Sequence, residues 1–138
     1  MPDSRRTYHS LVQRARKALR HSHAPFSGFR VGAALLGSNG KIYQGCNIEN
    51  SSYGLTICAE RTAIFRAISD GVHKFKAIAI VSDEEGFTSP CGACRQVLSD
   101  LAGNIDVVLA DHRGRTKVLK MEDLLPHPFT PENLRRRT

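Results

Sequence analysis

Phe75-Lys76-Ala77-Ile78-Ala79-Ile80-Val81, then Pro90-Cys91-Gly92-Ala93-Cys94 running on to Leu101, then Ile105-Asp106-Val107-Val108-Leu109-Ala110: this stretch decides the fold. Its outer segments are short, continuous apolar runs of the kind found in strands buried on both faces. The middle segment has helical length and opens after a proline, with Gly103-Asn104 to end it. Strand, helix and strand in that order predict two parallel neighbours in one sheet.

Working outward, Phe29 to Leu36 and Lys41 to Cys46 flank Gly37-Ser38-Asn39-Gly40, and Asn39-Gly40 is a strong hairpin signal, so two antiparallel strands are expected there. Ala59, Ala63 and Ala67 with Ile64 and Ile68 predict a helix closed by Gly71. Before the hairpin, Leu11, Val12, Ala15 and Leu19 fall at helical spacing. That first helix should stop near Ala24, because Pro25 disfavours helical geometry in the residue before it. Beyond Ala110, His112-Arg113-Gly114-Arg115 reads as a turn, Thr116 to Leu119 as a strand and Glu122 to Leu125 as a short helix. The sum is an α/β fold, a mixed five-stranded sheet with helices on both faces, in three layers α/β/α. No internal repeat and no domain boundary interrupts it, so residues 1–138 read as a single domain.

With 138 residues the chain can bury about two-thirds of its unfolded surface without disulfides. No apolar stretch approaches the roughly 18 residues of a membrane span, which excludes a transmembrane reading. Met1-Pro2-Asp3-Ser4-Arg5-Arg6 has neither the apolar core nor the cleavage site of a secretory signal, so a cytoplasmic location is expected. Four cysteines in a reducing compartment then point to metal or redox chemistry rather than to disulfides. The net charge of +7 favours anionic partners. Arg135-Arg136-Arg137 is nevertheless a weak nucleic-acid footprint without interleaved aromatic platforms, and residues 135–138 read as a solvated, flexible basic tail.

Cys91 and Cys94 lie three apart in the first turn of a predicted helix, on one face. Such a pair serves equally as a redox dithiol, activated by the helix N-terminus, or as half of a metal site. Cys58, at the start of the other long helix, favours the metal, since three thiolates suit an open zinc site whose fourth position is left to water. Cys46 is the one thiol left to close a structural four-cysteine site, but its strand position suits a buried free thiol better. Glu60 follows Cys58 by two residues, and on a regular helix the two would point about 200° apart. Both can face one point only if Cys58 stands at the very helix start. The plainer role for Glu60 is a first-turn acid that stabilises the helix dipole.

Zinc deaminases carry His or Cys, any residue and Glu, then Pro-Cys-x-x-Cys, with the glutamate moving protons and not binding metal. Cys58-Ala59-Glu60 and Pro90-Cys91-Gly92-Ala93-Cys94 match that pattern completely. With Gly45-Cys46-Asn47-Ile48-Glu49-Asn50, Cys58 through Ala63 and Ser89 through Gln96, the chain resembles the small homotetrameric cytidine deaminases from about Tyr8 to Leu134. The resemblance implies one zinc ion per chain held by Cys58, Cys91 and Cys94, with Glu60 as the catalytic proton carrier. It implies hydrolysis of cytidine and 2'-deoxycytidine to uridine and 2'-deoxyuridine, for pyrimidine salvage.

Three thiolates against a dication leave a charge of −1, and the resemblance assigns Arg61 to offset it beside the two helix N-termini. Otherwise Arg61 would be an ordinary solvated helix charge. Asn47 and Glu49 alternate, so on extended chain their side chains leave one face together. By resemblance they bind the ribose 3'-hydroxyl, Phe29 packs on the pyrimidine, and Tyr53 and the partner subunit's Phe129 complete the pocket. Core or loop packing is the commoner role of such aromatics. A carboxylate at Glu49 would repel a phosphate at that position, which favours free nucleosides over polynucleotides. The competing readings are deamination of single-stranded nucleic acid, deamination of a modified cytosine nucleoside, and a non-enzymatic four-cysteine zinc module. Phe26, where relatives often have Tyr, and Gly28 depart from the family pattern and leave the placement of Phe29 open.

Overall fold

The computed structural model describes residues 4–134. The basic tail expected at residues 135–138 lies outside them. Helix α1 spans Ser4–Leu19, strands β1 and β2 Val31–Gly37 and Ile42–Cys46, helix α2 Ala59–Ser69 and strand β3 Phe75–Ser82. Helix α3 (Gly92–Ala102), strands β4 (Asp106–Ala110) and β5 (Thr116–Lys120) and the single-turn helix α4 (Met121–Leu124) complete the frame. The sheet runs β2-β1-β3-β4-β5, with β3 and β4 parallel and every other pair antiparallel. That is the expected mixed sheet.

Side chains alternate across each strand, and the two faces differ in bulk. Leu35, Ile78, Ile80, Val107 and Leu109 point toward α2, α3 and α4, where they pack with Ala63, Ile64, Leu98 and Met121. Ala34, Ala77, Ala79, Val108 and Ala110 face α1 and meet Leu11, Val12 and Ala15. The alanine-rich face brings α1 close to the sheet. A Cβ on Gly32 would stand 2.0 Å from the Ala15 carbonyl oxygen, so only glycine fits beneath the helix. On the other face, a Cβ on Gly45 would come within 2.4 Å of the Ala59 oxygen and 2.5 Å of the Ala63 nitrogen. Gly45 thereby lets the first turn of α2 rest on β2.

Helix α1 ends at Leu19, earlier than the proline predicts. Arg20, His21 and Ser22 donate to the carbonyls three residues back, a tightened last turn. His23 is then taken up by main-chain pairing, its N–H donating to Asn47 O and its carbonyl accepting from Glu49 N–H. Strand β1 starts two residues later than expected, because the Asn47 side chain takes the main-chain groups of Phe29 and Val31. In the hairpin only Gly40 takes a positive φ, 85°, and its N–H donates to Gly37 O. Asn39 stays in ordinary backbone space, so the turn is a longer one with a left-handed glycine, not the primed two-residue form.

Candidate metal centre and active site

Cys58 is the N-cap of α2 and Cys91 the N-cap of α3, both in extended backbone geometry, while Cys94 lies within the first turn of α3. Their placement follows from the neighbouring sequence. Ile57 pairs with Ile48 through reciprocal main-chain hydrogen bonds of 3.0 and 2.9 Å, which sets Cys58 beside the Asn47–Glu49 segment. The Cys58 carbonyl accepts from the Thr62 N–H at 3.0 Å and its hydroxyl at 3.2 Å. The Cys91 carbonyl accepts from Arg95 N–H at 2.9 Å. Neither cysteine caps its helix with the side chain, so both sulfurs are left to face each other.

The Cys58 and Cys91 sulfurs are 3.7 Å apart, and all three sulfurs lie within 4.8 Å of one another. Tetrahedral zinc with Zn–S bonds of ~2.3 Å places neighbouring sulfurs ~3.8 Å apart, so the donor set fits zinc in both chemistry and spacing. Among the described residues no other group of three possible ligands comes together. Cys46, at the end of β2 and paired with Gly32, is half-buried and outside the cluster. Burial raises its thiol pKa, with Arg66 opposing. A four-sulfur closed site is therefore not formed.

Glu60 is the second residue of α2 and only 4% exposed. Because Cys58 is a cap and not a helical residue, the condition for the two side chains to share one point is met. Burial pushes the Glu60 carboxyl up to about 7; its own backbone N–H opposes the shift and the negative charge of Cys58 adds to it. The neighbouring Cys94 thiol opposes the shift as the weakest of these influences. Arg61 donates from Nη2 to the Cys58 sulfur at 3.4 Å, and its Nε is buried with no hydrogen-bond partner among the described residues. A hydrogen bond with Cys94 first, then Arg61 and Cys91, hold the Cys58 thiol down at about 5 against burial. Cys94 moves the opposite way, since it supplies that hydrogen bond from a buried position beside Glu60. In the metal-free chain Cys58 is thus the sulfur held ionised, while Cys94 keeps its proton.

Asn47 and Glu49 do share one face, and both reach the loop between α1 and β1. Asn47 accepts from Val31 N–H at 2.9 Å and donates to Phe29 O at 2.7 Å. Glu49 accepts from the N–H groups of Phe26 and Ser27 at 2.9 and 3.1 Å, and from the Ser27 hydroxyl. Ser27 first, then those main-chain donors, hold its carboxyl below the usual range against partial burial. The Ser27 hydroxyl also accepts from Phe29 N–H at 3.0 Å. Phe29 packs half-buried against the α2 and α3 core. Tyr53, in the 3-10 turn Tyr53–Leu55, is 75% exposed and meets Phe26 edge to face at 5.9 Å. Phe26, Ser27, Glu49, Tyr53 and Thr56 line an open cleft of about 390 Å³. Phe129 is half exposed and far along the chain, its carbonyl accepting from Gln96 at 2.8 Å.

Sequence reasoning missed Ser27 and treated Phe26 only as a departure from the family pattern. The Pro-Phe-Ser-Gly turn composition was the available signal for a loop that needs anchoring. A second groove of about 390 Å³, between α1 and β4–β5 on the opposite sheet face, contains none of the expected residues.

Residues 5–110 match the family model described as "Cytidine and deoxycytidylate deaminase zinc-binding region". The chain belongs to the cytidine deaminase family. It is 50% identical to the cytidine deaminase of Sporosarcina psychrophila over 125 residues, 90% of this chain and 92% of that one. Identity to the cytidine deaminase of Halalkalibacterium halodurans is 45%, over 90% and 95% of the two chains. The crystal structure of cytidine deaminase from Burkholderia pseudomallei superposes with a TM-score of 0.86 at 46% identity, over 88% of this chain and 98% of that one. The mixed sheet flanked by helices is the fold of that family, and zinc is its metal.

Proposed function

We propose that this chain hydrolyses cytidine and 2'-deoxycytidine to uridine and 2'-deoxyuridine with release of ammonia, using one zinc ion held by Cys58, Cys91 and Cys94. The observation that carries the reading is the convergence of three sulfurs from two helix N-termini with the buried Glu60 carboxyl beside them. Zinc bound there lowers the pKa of a water from 15.7 toward about 7, which makes a nucleophile available at neutral pH. Glu60 would take a proton from the attacking water and pass it to N3 of the pyrimidine as oxygen attacks C4. Glu60, again a carboxylate, would then take the proton of the hydroxyl now on C4 and deliver it to the amino group, so that the C4–N bond breaks, ammonia leaves and the C4 carbonyl forms. In the metal-free chain burial holds this carboxyl up at about 7, and a bound cation would draw it back toward the ionised form that accepts the first proton. Arg61 and the N-terminal dipoles of α2 and α3 offset the charge of three thiolates.

The sugar site falls to Asn47 and Glu49. Each keeps capacity beyond its loop contacts: Asn47 has a second amide N–H, and Glu49 has an acceptor position left after three donors. A ribose 3'-hydroxyl can meet both. A 3'-phosphate would meet a carboxylate held ionised by its neighbours, which disfavours polynucleotides. Phe29 then supports the pyrimidine, with Tyr53 and the partner subunit's Phe129 closing the pocket. A homotetramer fits the surface apolar group of Ile48, Leu55 and Phe65, which lines one shallow cleft and is 46%, 65% and 43% exposed. The reaction serves pyrimidine salvage in the cytoplasm.

The test is ammonia release from cytidine, 2'-deoxycytidine, cytidine 5'-monophosphate and a cytosine-containing oligonucleotide. The two nucleosides should be converted and the oligonucleotide spared. Conversion of the oligonucleotide alone would overturn the substrate assignment.

A further inference from the structure

Of the three sulfurs, Cys91 owes least to packing. Cys94 is buried inside α3, and Cys58 receives Arg61, but Cys91 is exposed at the end of the loop that follows β3. Its position depends on how residues 89 and 90 are held. One side chain holds them. Arg95 donates from Nε to Pro90 O at 2.8 Å, from Nη2 to the Ser89 hydroxyl at 2.9 Å and from Nη1 to Leu124 O at 2.9 Å. Pro90 is fully buried, so its carbonyl would lose its partner and face no water without the guanidinium. The third bond ties the Arg95 guanidinium, and through it the loop, to the last residue of α4. Arg95 itself is placed by the turn of α3 that carries Cys94.

We propose that Arg95 is a positioning residue for the metal site: it presets the Cys91 sulfur against Cys58 and Cys94 by fixing Ser89-Pro90 to α3 and α4. The inference rests on the reading of those three cysteines as one zinc site. Three acceptors in different directions require the planar fork of arginine; a lysine has one nitrogen and can serve one or two of them. Arg95 touches neither metal nor substrate, so its effect is on retention of the ion and on Cys91, not on proton transfer.

The experiment compares the zinc-loaded parent with R95M, R95K and S89A by competition against a chromophoric chelator, and the cobalt-substituted forms by their thiolate-to-metal absorption. R95M and R95K should weaken zinc retention about 10- to 100-fold, the range for groups that orient metal ligands, with S89A losing less. Cobalt-loaded R95M should lose thiolate absorption per metal, and Cys91 should become the first thiol alkylated in the zinc-loaded variant. Zinc retention within about two-fold of the parent, with an unchanged cobalt spectrum, overturns the proposal. Should R95M not fold, S89A decides, since it removes a single acceptor: unchanged retention and Cys91 reactivity overturn the proposal. Failure of the underlying zinc-site reading gives a different result, in which C91S holds zinc as tightly as the parent.

Discussion

In its proposed role Glu60 meets two opposed demands, ionisation to accept a proton and burial that resists ionisation. Its folded pKa of about 7 lies above the ordinary 4.5, so in the metal-free chain folding favours the protonated acid. The contribution is fully present below pH 4.5 and is lost as pH rises toward 7, above which the penalty stays constant. Glu60→Gln removes it. Chemical denaturation of metal-free protein should show Glu60→Gln more stable than the parent at pH 8, by ~1–3 kcal/mol, with the gap closing toward pH 5. In the zinc-loaded protein the same substitution should retain the ion while uridine formation falls at least ~10²- to 10⁴-fold. Retention of most activity would remove Glu60 from the proton path. Cys46→Ser, by contrast, should keep one zinc per chain and most of the activity, measured by metal analysis and turnover. Release of the metal would restore the four-cysteine alternative.

At the scale of elements, the two glycines pressed most closely against helix backbone have different consequences. Gly32 lies under α1 and Gly45 under the first turn of α2, between β2 and the segment that carries Cys58 and Glu60. Alanine at either position meets backbone and should cost about 2–3 kcal/mol in thermal or denaturant unfolding. Gly45→Ala should also alter the absorption of the cobalt-substituted site, whereas Gly32→Ala should leave it unchanged. Equal spectra in the two variants would show that the seat of α2 does not set the metal geometry. The same elements show what the sequence made legible. Cys58, Glu60, Cys91 and Cys94 were readable because helix starts are local: a cap, a following carboxyl and a Cys-x-x-Cys fix their own relations within a few residues. The parallel β3–β4 pair was readable from its apolar runs for the same reason. The contacts of Asn47 and Glu49 with the 26–31 loop were not, since they join segments 16 to 23 residues apart that no periodicity relates. The early end of α1 was hidden likewise, because His23 leaves the helix to pair with main chain on the far side of the hairpin.

On the scale of the whole molecule, we propose that the pocket is completed by more than one chain. Tyr53 and Phe129 are 75% and 55% exposed, and the apolar cleft of Ile48, Leu55 and Phe65 is left uncovered in a single copy. If a partner's Phe129 closes the pocket, activity per chain should fall as dilution separates the subunits, with sedimentation reporting the assembly at each concentration. Constant activity per chain through dissociation would mean that each subunit completes its own site. Beneath assembly and substrate choice lies the proposed zinc ion between three sulfurs. Its most direct test is uridine formation from cytidine by chelator-stripped protein as zinc is returned in measured steps. Activity should be absent at the start, rise linearly and level off at one zinc per chain; turnover by the stripped chain, or none at full zinc, would contradict the account.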